Sequence, residues 1–219
     1  MYTTAIHAII SAARSLFQNR RSLLLIVSVY IALLTAIYLF VSTREATVSQ
    51  LLLTLVTVIA APALFFVLQA AIVSSHSLIK TSLKLVVVSV PVIALTLLAI
   101  YGLNKFHTHP TIVTTVRYLL LAVITPLLAI QLWIAAGNTG WRTILTSLRT
   151  TFTPQSLFIY ACGFLVFALA PYWLLHRTFT IQRPWLELSV MVARLTLSAL
   201  LVLLGWVTTV RALSVQRFR

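Results

Sequence analysis

Long apolar runs alternate with short polar links along this chain, and the run lengths decide the class. About 20 apolar residues are needed for a helix to cross a hydrocarbon core of about 30 Å. Runs of about that length fall at 22–42, 51–73, 85–103, 116–136, 155–175 and 190–210. Links as short as Thr43-Arg44-Glu45-Ala46-Thr47 make consecutive spans antiparallel neighbours. The pattern predicts an all-α integral membrane protein, with residues 1–219 forming one membrane domain of about six transmembrane helices arranged as three hairpins.

Between the runs lie short amphipathic stretches with helical spacing. In residues 3–18, Ile6, Ile9, Ile10, Ala13, Leu16 and Phe17 share one side, opposite His7, Ser11, Arg14 and Gln18. This predicts an interfacial helix over 1–21. The basic pair Arg20-Arg21 comes late, and no small-residue cleavage site follows, so a cleaved signal peptide is not expected. Gly137 to Arg149 carries Trp141, Ile144, Leu145 and Leu148 on one face, with Arg142, Thr146 and Arg149 opposite. Thr81-Ser82-Leu83-Lys84, at the end of His76 to Lys84, nearly repeats Thr146-Ser147-Leu148-Arg149. Three units follow, each a short in-plane amphipathic helix on the cytoplasmic side leading into an apolar hairpin. The competing reading, ordinary polar links with incidental helical spacing, stays open.

Composition sharpens this picture. The chain is 61% hydrophobic and 8% charged, whereas soluble domains carry about 25% charged residues. Sixteen Lys and Arg stand against two acidic residues, a formal charge of +14. In a membrane protein such an excess points to anionic lipid headgroups, with Arg14, Arg20, Arg21, Lys80, Lys84, Arg142 and Arg149 as the expected contacts. Nucleic acid is not expected, because the cations are scattered in ones and twos among the spans and form no basic patch. Six crossings put ten Lys or Arg on the side of both termini and five on the other. The positive-inside rule then places both termini in the cytoplasm, and a bacterial inner membrane is the expected location. In layout, seen at Asn19-Arg20-Arg21 and at the two Thr-Ser-Leu-Lys/Arg segments, the chain resembles the membrane-embedded domains attached to bacterial glycerophosphodiesterases. That likeness implies a membrane fold and carries no activity onto any residue.

Chemically reactive groups are few. Cys162 is the single cysteine, so no intramolecular disulfide and no thiolate metal site is expected. His107 and His109 form a His-x-His pair with no further ligand nearby, so neither metal nor cofactor is expected. Pro62, Pro91 and Pro126 interrupt spans as kinks, and Gln69 and Gln131 suit hydrogen bonds between helices. The residue out of place is Arg194, inside the last run; Glu187, seven residues earlier, is its candidate partner. An intramembrane charge by default marks a functional site, but a lone cation without a close buried carboxylate is more cheaply solvated by headgroups, so the favoured reading places both residues in the interface. With two glutamates and no aspartate, acid/base chemistry has little to work with, and no enzyme activity is expected. The expected function is that of a noncatalytic scaffold or accessory subunit that binds anionic lipids and either a membrane protein partner or further copies of itself as a homo-oligomer. The alternatives are a transporter or channel component for a small apolar or anionic solute, built on Arg194, and a lipid-processing enzyme.

Overall fold

The computed structural model describes residues 2–44, 47–73, 77–105, 110–138, 151–177 and 183–217. Its described elements are helical throughout: α1 (Tyr2–Gln18), α2 (Arg20–Ser42), α3 (Val48–Val73) and α4 (Leu78–Lys105) come first. One interrupted segment follows, α5 (Pro110–Leu119), a π turn (Leu120–Ile124) and α6 (Thr125–Asn138). A second is α7 (Pro154–Phe164), a π turn (Leu165–Leu169) and α8 (Ala170–His176), and the chain then forms α9 (Pro184–Arg217). The helices α2, α3, α4 and α9, together with the two interrupted segments, are six elements long and apolar enough to cross a membrane. The chain is an all-α multi-pass membrane protein.

Local chemistry sets the ends. Asn19 caps α2 by accepting the Ser22 N–H at 3.2 Å, and Thr153 caps α7 by accepting the Ser156 N–H at 3.3 Å. Proline opens α5, α7 and α9, where its missing N–H costs no intrahelical bond. Both π turns have a proline as their cause. The Thr125 N–H bonds the carbonyl of Leu120 and the Ala170 N–H that of Leu165, each five residues back, directly before Pro126 and Pro171. Widening the turn moves the proline ring away from the carbonyl it would otherwise strike. Pro62 and Pro91 lie inside uninterrupted α-helix.

Three boundaries differ from the sequence pattern. Lys80 and Lys84 belong to the first two turns of α4, so residues 78–84 and the third span form one continuous helix and not a separate in-plane element. The link expected over residues 104–115 is shorter, because the helix resumes at Pro110. The basic tail expected over 211–219 is helical through Arg217, with Ala212 and Leu213 buried. At 34 residues, α9 is about 51 Å long, well beyond the hydrocarbon thickness. The copy of the repeat at residues 139–149 lies outside the described residues.

The chain divides into two compact units, Met1–Gln18 with Thr153–Arg219, and Asn19–Phe152. The amphipathic lead α1 therefore belongs with the last hairpin and not with the hairpin next to it in sequence.

In the first unit, α1 packs on α7 and α9 through Ala5, Ala8, Ala12 and Leu16, all buried. Small residues at this spacing let backbones approach closely. Ile6, Ile10 and Phe17, 47–61% exposed, form a second face, and His7, Ser11 and Arg14 a third, exposed one. The side expected to bury therefore splits, and an alanine seam carries the protein contact. Glycine does the same between α7 and α9. A Cβ on Gly163 would lie 1.9 Å from Thr209 Oγ1, and one on Gly205 2.9 Å from the Phe167 backbone nitrogen. Thr209 Oγ1 donates to the Gly205 carbonyl at 2.6 Å. At the opposite end of α9 from Pro184, Gln216 Nε2 donates to Gln155 Oε1 at 2.9 Å. Gln155 Nε2 in turn donates to Thr4 Oγ1 at 3.4 Å, joining α1, α7 and α9.

In the second unit, α2 packs on α3, burying Ile26, Leu33 and Ala36. The last six residues of α3, Leu68 to Val73, are all buried. α4 presents Thr81, Leu85, Val88, Ser89 and Val92 as a buried helical stripe, and α6 is buried from Ala129 to Ala136. Polar groups join the two: Trp133 Nε1 donates to Ser89 Oγ at 2.7 Å, and Thr96 and Thr125 hydroxyls pair at 2.9 Å. Phe65 and Phe66 pack edge-on against Trp133. Gln69 and Gln131 are 1% and 3% exposed, placing both expected packing amides in the interior.

Candidate functional site

Arg194 has a definite place. It lies on α9 alongside the end of α8, where the last carbonyls have no intrahelical partner. Arg194 Nε donates to the Leu174 carbonyl at 2.8 Å, and Nη2 to the Leu175 carbonyl at 2.8 Å. Nη2 also donates to the carbonyls of Leu174 and Arg177. Neighbouring carbonyls are satisfied locally, Trp173 by the Arg177 N–H at 3.3 Å and Tyr172 by His176 Nδ1 at 2.9 Å. The guanidinium thus caps the fifth span from the side. Helix C-termini carry partial negative charge, and a partly buried cation there is worth up to about 2 kcal/mol. A planar fork of donors suits several carbonyls at once, which a lysine ammonium does not match.

Glu187, the candidate partner, sits in the first turn of α9, and its side chain is exposed. Seven residues separate it from Arg194, about 10 Å along the helix, and none of the Arg194 bonds above reaches it. A carboxylate in a first turn complements the positive end of the helix, which accounts for Glu187 without an ion pair. The structure does not bring these two residues together.

The cations expected at headgroups are exposed where they are described: Arg14, Arg20, Arg21, Lys80 and Lys84. Arg142 and Arg149 lie outside the described residues. Arg20 and Arg21 occupy the first turn of α2, and Lys80 that of α4. Positive side chains there oppose the helix dipole but reinforce its attraction for phosphate. Lys80 and Lys84, one turn apart, flank the buried pair Thr81 and Ser82, whose burial turns the lysines outward.

Aromatic residues mark the other ends of the spans. Lys105 Nζ lies 4.8 Å from the Tyr101 ring centroid, and the Arg177 guanidinium 4.6 Å from that of Trp173. Tyr38, Tyr101, Trp173 and Trp185 are exposed, as residues of an interfacial aromatic belt are. Cys162 is a free, half-buried thiol on α7. His107 and His109 lie outside the described residues; among those described, no three His, Cys, Asp or Glu side chains gather.

Sequence reading missed Pro171, the two glycines at the α7–α9 contact and the hydroxyls that link α4 to α6. Only the alanine spacing in α1 offered a local signal, since the others become meaningful through a partner helix. Comparison with protein-family models, with curated proteins and with solved structures finds no match.

Proposed function

We propose that this chain is a noncatalytic multi-pass membrane protein, a scaffold or accessory subunit that holds anionic lipid at its basic helix ends and membrane partners along its spans. The observation that carries this reading is the state of Arg194. As the intramembrane cation, it was the basis for a solute site, and its Nε and Nη2 donors serve the carbonyls that end the fifth span. An arginine engaged this way joins two helices and offers little to a passing anion. The exposed cations at the starts of α2 and α4 support lipid binding, since charge and helix dipole both favour phosphate there. The excess of Lys and Arg on the side of the termini supports a cytoplasmic orientation of both, in a bacterial inner membrane.

Native mass spectrometry of the gently extracted protein tests the proposal. Retained anionic lipid, or a stoichiometric membrane partner or second copy, is the expected result. A bare monomer would refute it. Flux through purified protein in liposomes that disappears in Arg194→Lys, while that variant still folds and reconstitutes at the assay temperature, would establish the transporter alternative instead.

A further inference from the structure

α4 carries cations at both of its ends. At 28 residues it is about 42 Å long, so Lys105, in its last turn, meets the membrane surface opposite to that of Lys80 and Lys84. Tyr101, Asn104 and Lys105 share one face of that last turn, at helical spacing. Lys105 Nζ lies over the Tyr101 ring, 4.8 Å from its centroid. Arg117 joins this face from α5, its Nη2 donating to Asn104 Oδ1 at 2.6 Å. Helical side chains lean toward the start of their own helix. That lean takes Arg117, about 10 Å along α5 from Pro110, back toward the end of α4.

The hydrogen-bonding capacity left in Asn104, Lys105 and Arg117 is nearly all on the donor side. Because the Asn104 oxygen accepts from Arg117, the amide presents its two N–H groups elsewhere, and lysine and arginine have no acceptor at all. Arg117 Nε is shielded from solvent and has no partner among the described residues, so the hydrogen bonding of the guanidinium is incomplete within the protein. No carboxylate among the described residues balances the charge. The two acids of the chain are Glu45 and Glu187; Glu45 lies outside the described residues, and Glu187 belongs to the other unit. The residues that connect the two helices, Phe106 to His109, include no acid.

We propose that the corner between α4 and α5 is a phosphate-binding site at the membrane surface opposite the basic start of α4, with Arg117 and Lys105 as its cations and the Asn104 amide as its neutral donor. The planar fork of an arginine takes two phosphate oxygens at once, and lysine adds a point charge. Asn104 holds the guanidinium in place without neutralising it, which a carboxylate at that position would do. Phosphate is the oxyanion that a membrane surface offers, on lipid headgroups, and free phosphate presents the same oxygens. The site uses none of the cations assigned to headgroups above, so either assignment can fail alone.

The test compares the full-length protein, stripped of lipid in neutral detergent, with Asn104→Asp. This variant keeps an acceptor for Arg117 and adds a counter-charge, so a purely structural contact survives it and an anion site does not. Phosphatidylglycerol is titrated in and read by native mass spectrometry. At about fivefold per charge near a surface, one lipid is expected to bind about fivefold more weakly to Asn104→Asp and about 25-fold more weakly to Lys105→Gln combined with Arg117→Gln. The Asn104→Asp thermal midpoint without lipid is expected to be kept or raised. Inorganic phosphate is the second probe: competition with the lipid assigns the site to phosphate from either source, and binding of phosphatidylglycerol alone assigns it to the headgroup. Lipid binding unchanged in both variants would overturn the proposal. So would loss of that lipid on replacing Arg20, Arg21, Lys80 and Lys84 while Asn104→Asp keeps it, since the lipid then sits at the other end of α4.

Discussion

At the scale of single residues, the chain uses its few polar groups to complete helices. Arg194 is the strongest case. Replacing it with Gln removes charged donors from the carbonyls of Leu174, Leu175 and Arg177, and hydrogen bonds to charged groups contribute about 1.5–3 kcal/mol each. Arg194→Gln is expected to lower unfolding stability by that order, with Arg194→Lys between the two, read as thermal midpoints in lipid. Trp133 is a milder case. Its indole donates to Ser89 Oγ, which itself bonds the Leu85 carbonyl, so Trp133→Phe leaves no serine hydroxyl stranded. Side-chain hydrogen bonds between membrane helices average about 0.6 kcal/mol, and a double-mutant cycle of Trp133→Phe with Ser89→Ala is expected to return a coupling of that size. The chemistry of both residues was legible in the sequence, but their partners were not, because each lies at least 17 residues away.

At the scale of elements, small residues decide which helices touch. An alanine at position 163 meets Thr209, whose branched side chain has little freedom to move. Overpacking of this kind costs about 1–3 kcal/mol. Gly163→Ala is expected to destabilise the α7–α9 pair by that order, with partial rescue by Thr209→Gly, measured by the thermal midpoint of the single and double variants. The second prediction concerns α1. Because Ala5, Ala8, Ala12 and Leu16 pack within the unit that holds α7 and α9, deleting residues 2–18 is expected to speed hydrogen exchange in those two helices. Amides of α2, α3 and α4 are expected to keep their rates. Equal acceleration throughout would contradict the assignment of α1 to the last hairpin. The alanine period was visible in the sequence, but the larger Ile and Phe residues beside it dominate an amphipathicity reading, and nothing local names α9 as the partner.

At the scale of the whole molecule, charge distribution sets the relation to the membrane. Neutralising Arg20, Arg21, Lys80 and Lys84 to Gln is expected to weaken retention of anionic lipid by about fivefold per charge, since each contributes about 1 kcal/mol near an anionic surface. Lipid carried in native mass spectra checks this, and unchanged retention would remove these residues from the headgroup site.

The amino-acid sequence by itself determined that the chain is helical and crosses a membrane, because backbone polar groups in hydrocarbon have to be satisfied within each span and long apolar runs with few charges admit no other solution. It also determined where the cations lie along the chain, which is the basis for an orientation. The tertiary structure decided which hairpin α1 joins, that residues 78–84 continue a span, and that Arg194 caps the end of another helix. Those outcomes depend on which surfaces fit closely enough to exclude lipid: an alanine seam, two glycines, and the carbonyls at a helix end that a neighbouring arginine reaches. Fit is a property of two surfaces together, and a single run of residues carries only one of them.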